Sequence, residues 1–174
     1  KETVLGIKFD GYVNCVGIRS RRPINLIKPS HTNQILTTNV TSFLEMVRLI
    51  TKKKQFNPGL SIVSISSISS TVGGSGVTIY AASKAAIDAA IRCLAKELYK
   101  KSIRINSVLS GQINTEAYKD LMNSKTDKTD QVLERQYIGL GEPEDVANVI
   151  LFLLSEKSKF ITGSSIPVDG GFLS

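Results

Sequence analysis

The stretch that decides the fold is "LSIVSIS", residues 60–66, in which branched apolar residues and serines run without a single charge. A strand with one solvent-exposed face alternates apolar and polar residues, whereas a strand buried on both faces is apolar almost throughout. The stretch therefore predicts an interior strand of a parallel sheet. Such a sheet needs helices on both faces, so the flanking sequence must supply them.

Three more stretches have strand character, and helical patterns separate them. The strand stretches are "GYVNCV" (11–16), "IRINSVL" (103–109) and "SIPVDG" (165–170). The helical patterns cover residues 35–54, 80–100 and 142–156, and the last opens with Pro143 and two acids, which is typical of a helix N-terminus. This alternation predicts one α/β domain over residues 1–174, a doubly wound parallel sheet of the Rossmann-like type with right-handed crossovers.

Composition narrows the class of protein. The 174 residues are 41% hydrophobic and 21% charged, which is typical of a globular domain, and no apolar run is long enough for a membrane span. The start has no signal-peptide pattern, so we expect a cytoplasmic protein with no membrane partner. The net charge of +7 comes from scattered basic residues without a nucleic-acid-binding motif, so no nucleic acid partner is expected.

Cys15 and Cys93 show no metal-ligand spacing, which predicts no metal site, and both are expected to be buried thiols.

Residues 112–138 interrupt the alternation of strand and helix patterns. They are polar and rich in lysine, and they contain no strand pattern. Long insertions of this kind often form lids or substrate loops. We therefore predict a helical substrate-loop insertion above the sheet edge.

Polar residues follow each predicted strand. Ligands of open α/β sheets bind beyond the carboxyl ends of the strands, so these residues should meet at one edge. Tyr80 and Lys84, in "YAASK", stand four positions apart at the start of the longest helix, which places them on one helical face. The other candidates at this edge are Asn14, Gly17, Asn39, Ser67, Ser110, Gly111 and Thr115.

This pattern resembles that of the short-chain dehydrogenase/reductase family. The family's Tyr-x-x-x-Lys motif matches Tyr80 and Lys84, its catalytic serine thirteen residues before the tyrosine matches Ser67, and its helical asparagine matches Asn39. The Asn-Asn-Ala-Gly element appears as "NCVG" (14–17), and the Pro-Gly-x-x-x-Thr element appears as "SGQINT" (110–115) with serine in place of proline. The closing stretch, "GEPEDVANVILFLLSEKSKFITGSSIPVDGG", is most similar to 3-oxoacyl-acyl-carrier-protein reductase-like members.

The resemblance implies an oxidoreductase that uses NAD or NADP to interconvert a carbonyl and a secondary alcohol. A 3-oxoacyl thioester is one candidate substrate among small molecules, and sugars and sterols stay open. It implies that Tyr80 is the acid or base, that Ser67 orients the substrate and that Asn39 holds a relay water. Lys84 would bind the ribose, and its ammonium is expected to lower the pKa of Tyr80. The cofactor-binding residues it implies are Asn14, Gly17, Tyr80, Lys84, Gly111, Ile113 and Thr115.

The family also has features that this sequence does not show. Its glycine-rich phosphate loop is not found here, and about three strands and two helices precede the Asn-Asn-Ala-Gly element in the family. We therefore expect a sheet that is incomplete at the N-terminus, equivalent to the C-terminal two-thirds of a family member. Family members are usually homodimers or homotetramers, and we expect the same here. The alternative is a truncated, non-catalytic fragment or binding module that cannot hold the dinucleotide.

Overall fold

The fold, seen in a computed structural model that describes residues 8–52, 55–123 and 133–174, is built on one parallel sheet. Its strands lie side by side in chain order, and each neighbouring pair is parallel. The strands are β1 (Phe9–Asn14), β2 (Phe56–Ser67), β3 (Arg104–Ser110) and β4 (Ser165–Val168). All four predicted strands are confirmed, and β2 begins four residues earlier than the apolar stretch that predicted it.

Helices connect the strands as predicted, except that the short helix after β2 was not predicted and the helix expected over 35–54 is divided. They are α1 (Pro29–Leu36), α2 (Ser42–Lys52), α3 (Ser69–Val72), α4 (Thr78–Leu98), α5 (Glu116–Asn123) and α6 (Pro143–Leu154). The helix predicted over 35–54 is instead two helices, joined by a π-helical turn at Thr37–Thr41. At the start of α6 the backbone N–H of Glu142 donates to the Asp145 carboxylate over 2.8 Å, which satisfies a group that the helix leaves unpaired.

The interior of β2 explains why its sequence is apolar on both faces. Ile62 belongs to a core formed with α2 and α4, where Phe43, Ile87 and Ile91 are fully buried. Its neighbour Val63 points to the opposite face and packs in a second core with α6. Successive residues of a strand point to opposite faces, so both must be apolar here. The doubly wound parallel sheet is therefore confirmed.

The predicted insertion at 112–138 holds α5, while residues 124–132 lie outside the described part of the chain. The predicted burial of the two thiols is wrong, because both Cys15 and Cys93 are exposed. Cys15 lies just beyond the end of β1, and Cys93 lies on the outer side of α4. Apolar neighbours in the sequence do not decide which face a residue takes. Within the described ranges, the structure contains no helix with the length and apolar character of a membrane span.

Candidate functional site

The register of the sheet brings the polar strand ends to one edge. Ser67, the last residue of β2, pairs with Ser110, the last residue of β3, and Ser110 in turn pairs with Val168 of β4. Parallel strands end at the same edge, so the residues that follow them are neighbours in space. This edge is where the sequence places its candidate site.

Tyr80 and Lys84 lie on the first two turns of α4, against the end of β2. The Lys84 ammonium is 5.9 Å from the centre of the Tyr80 ring, and it donates a hydrogen bond of 2.8 Å to the carbonyl oxygen of Ile65. Ser67 and Tyr80 line the same pocket, and hydrogen bonding by Ser67 lowers the pKa of the Tyr80 phenol. The three polar groups therefore meet, as the four-residue spacing and the strand end predict.

Burial raises the pKa of the Tyr80 phenol above its ordinary value, whereas a lowered pKa was expected from the sequence. Hydrogen bonding by Ser67 and the charge of Arg19 lower the pKa by less than burial raises it. The effect of the Lys84 ammonium on this pKa stays a prediction. Arg19 is a second cation near the phenol that the sequence did not indicate.

Lys84 is itself buried beside a carboxylate. Burial lowers the pKa of its ammonium, while the Asp88 carboxylate one helical turn away raises it. Asp88 accepts hydrogen bonds from Ser66 Oγ at 3.0 Å and from Ser107 Oγ at 2.8 Å. These serines, from β2 and β3, fix the carboxylate beneath Lys84. Asp88 is thus a positioning residue that favours the charged form of Lys84.

Replacing Asp88 by Asn is expected to lower the pKa of Lys84 further, because the amide keeps the shape of the side chain but removes the charge. The measurement is a pH titration of the Lys84 side-chain nitrogen by nuclear magnetic resonance. Asp10→Asn is the matched control, because Asp10 is exposed and bonds Asn57 at the other end of the sheet. An unchanged Lys84 titration in D88N would contradict this assignment.

Asn39 lies at the π-helical turn and is completely buried. Its side-chain oxygen accepts from the Ile18 backbone N–H at 2.8 Å, and its amide donates to the Ile18 carbonyl at 3.0 Å and to Ser83 Oγ at 2.9 Å. Single π-turns inside helices are frequent at functional sites. Asn39 holds the loop after β1 against the turn between Tyr80 and Lys84, and its predicted relay water stays a prediction.

The residues predicted to bind a cofactor separate into two groups. Asn14 is buried in the sheet, where its amide donates to Ser64 Oγ at 3.0 Å, and it does not line the cleft that the others share. The other six all line one cleft of about 490 Å³ beside the strand ends. They are Gly17, Tyr80, Lys84, Gly111, Ile113 and Thr115.

Two glycines stand in the wall of this cleft. A Cβ on Gly17 would lie 3.3 Å from the Lys84 ammonium, and a Cβ on Gly111 would lie 2.9 Å from the Asp169 backbone. A side chain at Gly111 would therefore displace backbone, whereas one at Gly17 would press on the flexible end of Lys84. The bare backbone there, with Lys84 beside it, fits the nicotinamide and ribose end of a dinucleotide.

A second, smaller pocket of about 130 Å³ adjoins this cleft at Tyr80. Ser67 and Tyr80 line it together with two arginines, Arg19 and Arg21, and the ring of Phe172. Lys84 lines only the larger cleft, and Ser67 lines only the smaller pocket. A group placed in the smaller pocket therefore reaches both Ser67 and Tyr80.

Sequence reasoning missed three residues of the site. Arg19 and Asp88 carry charge next to Tyr80 and Lys84, and the buried Gln136 bonds both the N–H and the carbonyl of Gln112 in the cleft wall. An acid four residues after Lys84 was a local signal for Asp88. Nothing in the sequence pattern signalled Gln136, because its partner lies across the 112–138 segment.

Comparison with known proteins adds a consistent set of relatives. A family model described as enoyl-(acyl carrier protein) reductase matches residues 4–173. L-xylulose reductase of Caenorhabditis elegans is 37% identical over 93% of this chain and 65% of its own length. The 3-oxoacyl-[acyl-carrier-protein] reductase of Thermotoga maritima is 32% identical over 95% of this chain and 67% of its own length.

A solved structure also matches. 4-Hydroxyisoleucine dehydrogenase complexed with NADH superposes with a TM-score of 0.85 at 28% sequence identity. The match covers 94% of this chain and 68% of the dehydrogenase chain. The chain therefore spans about two thirds of the length of these three proteins.

Proposed function

The chain belongs to the short-chain dehydrogenase/reductase family, and from that premise we propose that the protein interconverts a carbonyl and a secondary alcohol with NAD or NADP. The observation that carries the proposal is the meeting of Ser67, Tyr80 and Lys84 at one sheet edge. Tyr80 borders both the cleft that Lys84 lines and the smaller pocket that Ser67 lines. A carbonyl in the smaller pocket would have its oxygen between Ser67 and Tyr80.

The larger cleft is the proposed cofactor site. Lys84, Gly17, Gly111, Ile113 and Thr115 would hold the nicotinamide and ribose end. When bound, a nicotinamide dinucleotide supplies or accepts a hydride. Lys84 is suited to the ribose hydroxyls, because an ammonium has three donors and only one is occupied by the Ile65 carbonyl in the described contacts.

Tyr80 and Ser67 are proposed to handle the substrate oxygen. In the reduction direction the Tyr80 phenol donates its proton to that oxygen, and in the oxidation direction the phenolate takes it back. Ser67 donates a hydrogen bond to the same oxygen and stabilises the negative charge that develops there. The raised pKa of Tyr80 keeps the phenol protonated at neutral pH, which favours its use as the acid of a reduction.

By their names, the proteins given above act on L-xylulose, on 3-oxoacyl-[acyl-carrier-protein] and on 4-hydroxyisoleucine, so the candidate substrates range over small carbonyl compounds and alcohols. A 3-oxoacyl thioester remains a candidate for this chain. We also propose a homodimer or homotetramer that uses α2 and α4, as the resemblance implies. Exposed apolar side chains on and beside these helices, those of Leu44, Met46 and Tyr99, support this assembly.

Replacing Lys84 by Met is expected to weaken NADH or NADPH binding and to lower turnover without unfolding the protein. Methionine keeps the length of the side chain and removes a buried charge whose burial is unfavourable. The measurements are a fluorescence titration with each nucleotide, the rate of carbonyl reduction and a thermal melt, made on the purified protein. The matched control is Lys96→Met, on an exposed position of the same helix.

The oxidoreductase and the non-catalytic binding module predict different results in this experiment. If the wild-type protein binds a nucleotide and K84M alone loses that affinity, the oxidoreductase assignment stands. If the folded wild-type protein binds neither nucleotide, the non-catalytic binding module is the better account. Equal nucleotide affinities of K84M and K96M would show that Lys84 is not part of the proposed cofactor site.

A further inference from the structure

The two ends of the 112–138 insertion meet at one buried side chain, that of Gln136. Its side-chain oxygen accepts from the Gln112 backbone N–H, and its amide donates to the Gln112 carbonyl at 3.3 Å and to the Gly139 carbonyl at 2.7 Å. Gln136 is only 3% exposed, so these hydrogen bonds are shielded from solvent. The side-chain amide thus pairs with Gln112 as the backbone of a neighbouring strand would.

Backbone hydrogen bonds continue this pairing beyond Gln136. The Gly141 N–H donates to the Gln112 carbonyl at 3.2 Å, and the Asn114 N–H donates to the Gly141 carbonyl at 2.8 Å. Gly139 lies in the turn between the side-chain contact and these backbone contacts, and its φ of +86° favours glycine. Gln136 and this backbone pairing together close the base of the insertion.

The strand side of the Gln136 contact is a wall that the two cavities share. Ser110, Gly111 and Gln112 line both the larger cleft and the smaller pocket. Gln136 lines neither of these two cavities, so its effect on a ligand there passes through the backbone that it bonds.

Gly111 shows how closely Gln136 approaches this wall. A Cβ on Gly111 would lie 2.5 Å from the Gln136 side-chain oxygen, so the close approach requires glycine. The Gly111 N–H donates to the Val168 carbonyl of β4 at 3.0 Å. The backbone at this point is therefore fixed by β4 through Gly111 and by Gln136 through Gln112.

The Gln112 N–H depends on Gln136 for its partner. Among the described hydrogen bonds it has no acceptor other than the Gln136 side-chain oxygen, and Gln112 is buried. A buried N–H without an acceptor is unfavourable, so the backbone would shift to regain one if the glutamine were removed. The position of the shared wall thus depends on this one side chain.

We propose that Gln136 is a positioning residue for the proposed reaction, which closes the base of the insertion and so holds the shared wall where both the dinucleotide and the carbonyl compound contact it. The assignment rests on the proposed function, because nucleotide and substrate are the ligands proposed for the two cavities. It also gives a role to the end of the insertion, where the sequence shows no motif.

The test uses Gln136→Leu and Gln136→Glu, with Gln34→Leu and Gln34→Glu as matched controls at an exposed position of α1. Leucine is similar in size and makes none of the three hydrogen bonds. In Q136E the new carboxylate still accepts from the Gln112 N–H, but it faces two carbonyl oxygens that need a donor. Burial raises the pKa of such a carboxyl group, and its protonated form regains a donor as the pH falls.

The affinities for NAD+ and NADP+ are measured by isothermal titration calorimetry at alkaline and at mildly acidic pH, each relative to the wild-type protein at the same pH. Exchange of the Gln112 backbone amide is followed by nuclear magnetic resonance, which needs neither nucleotide nor turnover. Thermal melts confirm that each variant is folded at the temperature of the titration.

At alkaline pH both Gln136 variants should bind the nucleotide about tenfold more weakly than the wild-type protein, as a buried hydrogen bond lost with its partner left unpaired implies. At mildly acidic pH Q136E should regain most of this affinity, whereas Q136L should not. The Gln112 amide should exchange faster in Q136L, and both Gln34 variants should behave as wild type. A folded Q136L with wild-type affinity, or a Q136E defect that does not depend on pH, would overturn the proposal.

Failure of the proposed function gives a different result. If the folded wild-type protein binds neither nucleotide, the Gln112 exchange rate decides alone: an unchanged rate in Q136L overturns the proposal, and a faster rate retains Gln136 as the residue that holds the wall. If nucleotide binds in a Gln136-dependent manner but no carbonyl compound is reduced, the positioning role stands and the proposed reaction is wrong.

Discussion

Replacing Tyr80 by Phe is expected to lower the rate of carbonyl reduction by about two to four orders of magnitude, which is the usual contribution of a positioned general acid. The phenylalanine fills the same space beside Ser67, so the loss is confined to the hydroxyl that donates the proton. Nucleotide binding should remain, because the proposed contacts of Lys84 and the cleft glycines are untouched. The measurement is kcat with a saturating carbonyl substrate, together with the nucleotide dissociation constant.

The pH dependence gives an independent check of the same residue. The pKa of Tyr80 is raised by burial, so the phenol stays protonated at neutral pH and loses its proton only above its ordinary value. Reduction needs the protonated form and should fall as the pH rises through that pKa. Alcohol oxidation needs the phenolate and should rise over the same range. If Y80F retains both the rate and the pH profile of the wild-type protein, Tyr80 is not the acid or base of the reaction.

Replacing Phe43 by Ala is expected to lower the free energy of unfolding by about 3–5 kcal/mol, the usual range for a buried phenylalanine. Phe43 of α2 is 0% exposed and lies in the core between α2, α4 and the sheet. The substitution removes apolar contacts and leaves a cavity that the surrounding helices and strands fill only in part. The measurement is a urea denaturation curve monitored by circular dichroism.

Phe160 provides the matched control, because the same residue type is 100% exposed in the loop after α6. Phe160→Ala should change the free energy of unfolding by no more than about 0.5 kcal/mol. If F43A is too unstable to purify, Phe43→Leu should show a smaller loss, since this substitution removes less of the buried side chain. Equal stability of F43A and F160A would mean that the α2–α4 core does not support the sheet.

The local patterns in the sequence were sufficient for the elements of this fold. The apolar run at Leu60–Ser66 predicted an interior strand because both of its faces are covered, by α2 and α4 on one side and by α6 on the other. The insertion at 112–138 was predicted from the loss of pattern alone, and its role as a substrate loop stays a prediction. The π-helical turn at Asn39 was not predicted, because a helix and a helix with one wide turn have nearly the same apolar spacing.

The sequence predicted that Ser67, Tyr80 and Lys84 lie at one sheet edge, but it did not predict the electrostatics there. The positions of these three residues follow from a strand end and a four-residue helical spacing, which are local properties. Arg19, whose charge also acts on the phenol, comes from a loop far away in the chain. The raised pKa of Tyr80 is due to burial, which depends on how the elements pack.

The sequence alone thus determined the order and type of the strands and helices and the edge at which the polar residues gather, because both depend on residues that are close along the chain. Only the tertiary structure decided how charge is distributed at that edge. Burial and Coulomb interactions act through space, so the partners of Tyr80 and Lys84 come from separate loops, strands and turns. The arginine-lined pocket belongs to the same category, since Arg19 and Ser67 become neighbours only when the sheet has formed.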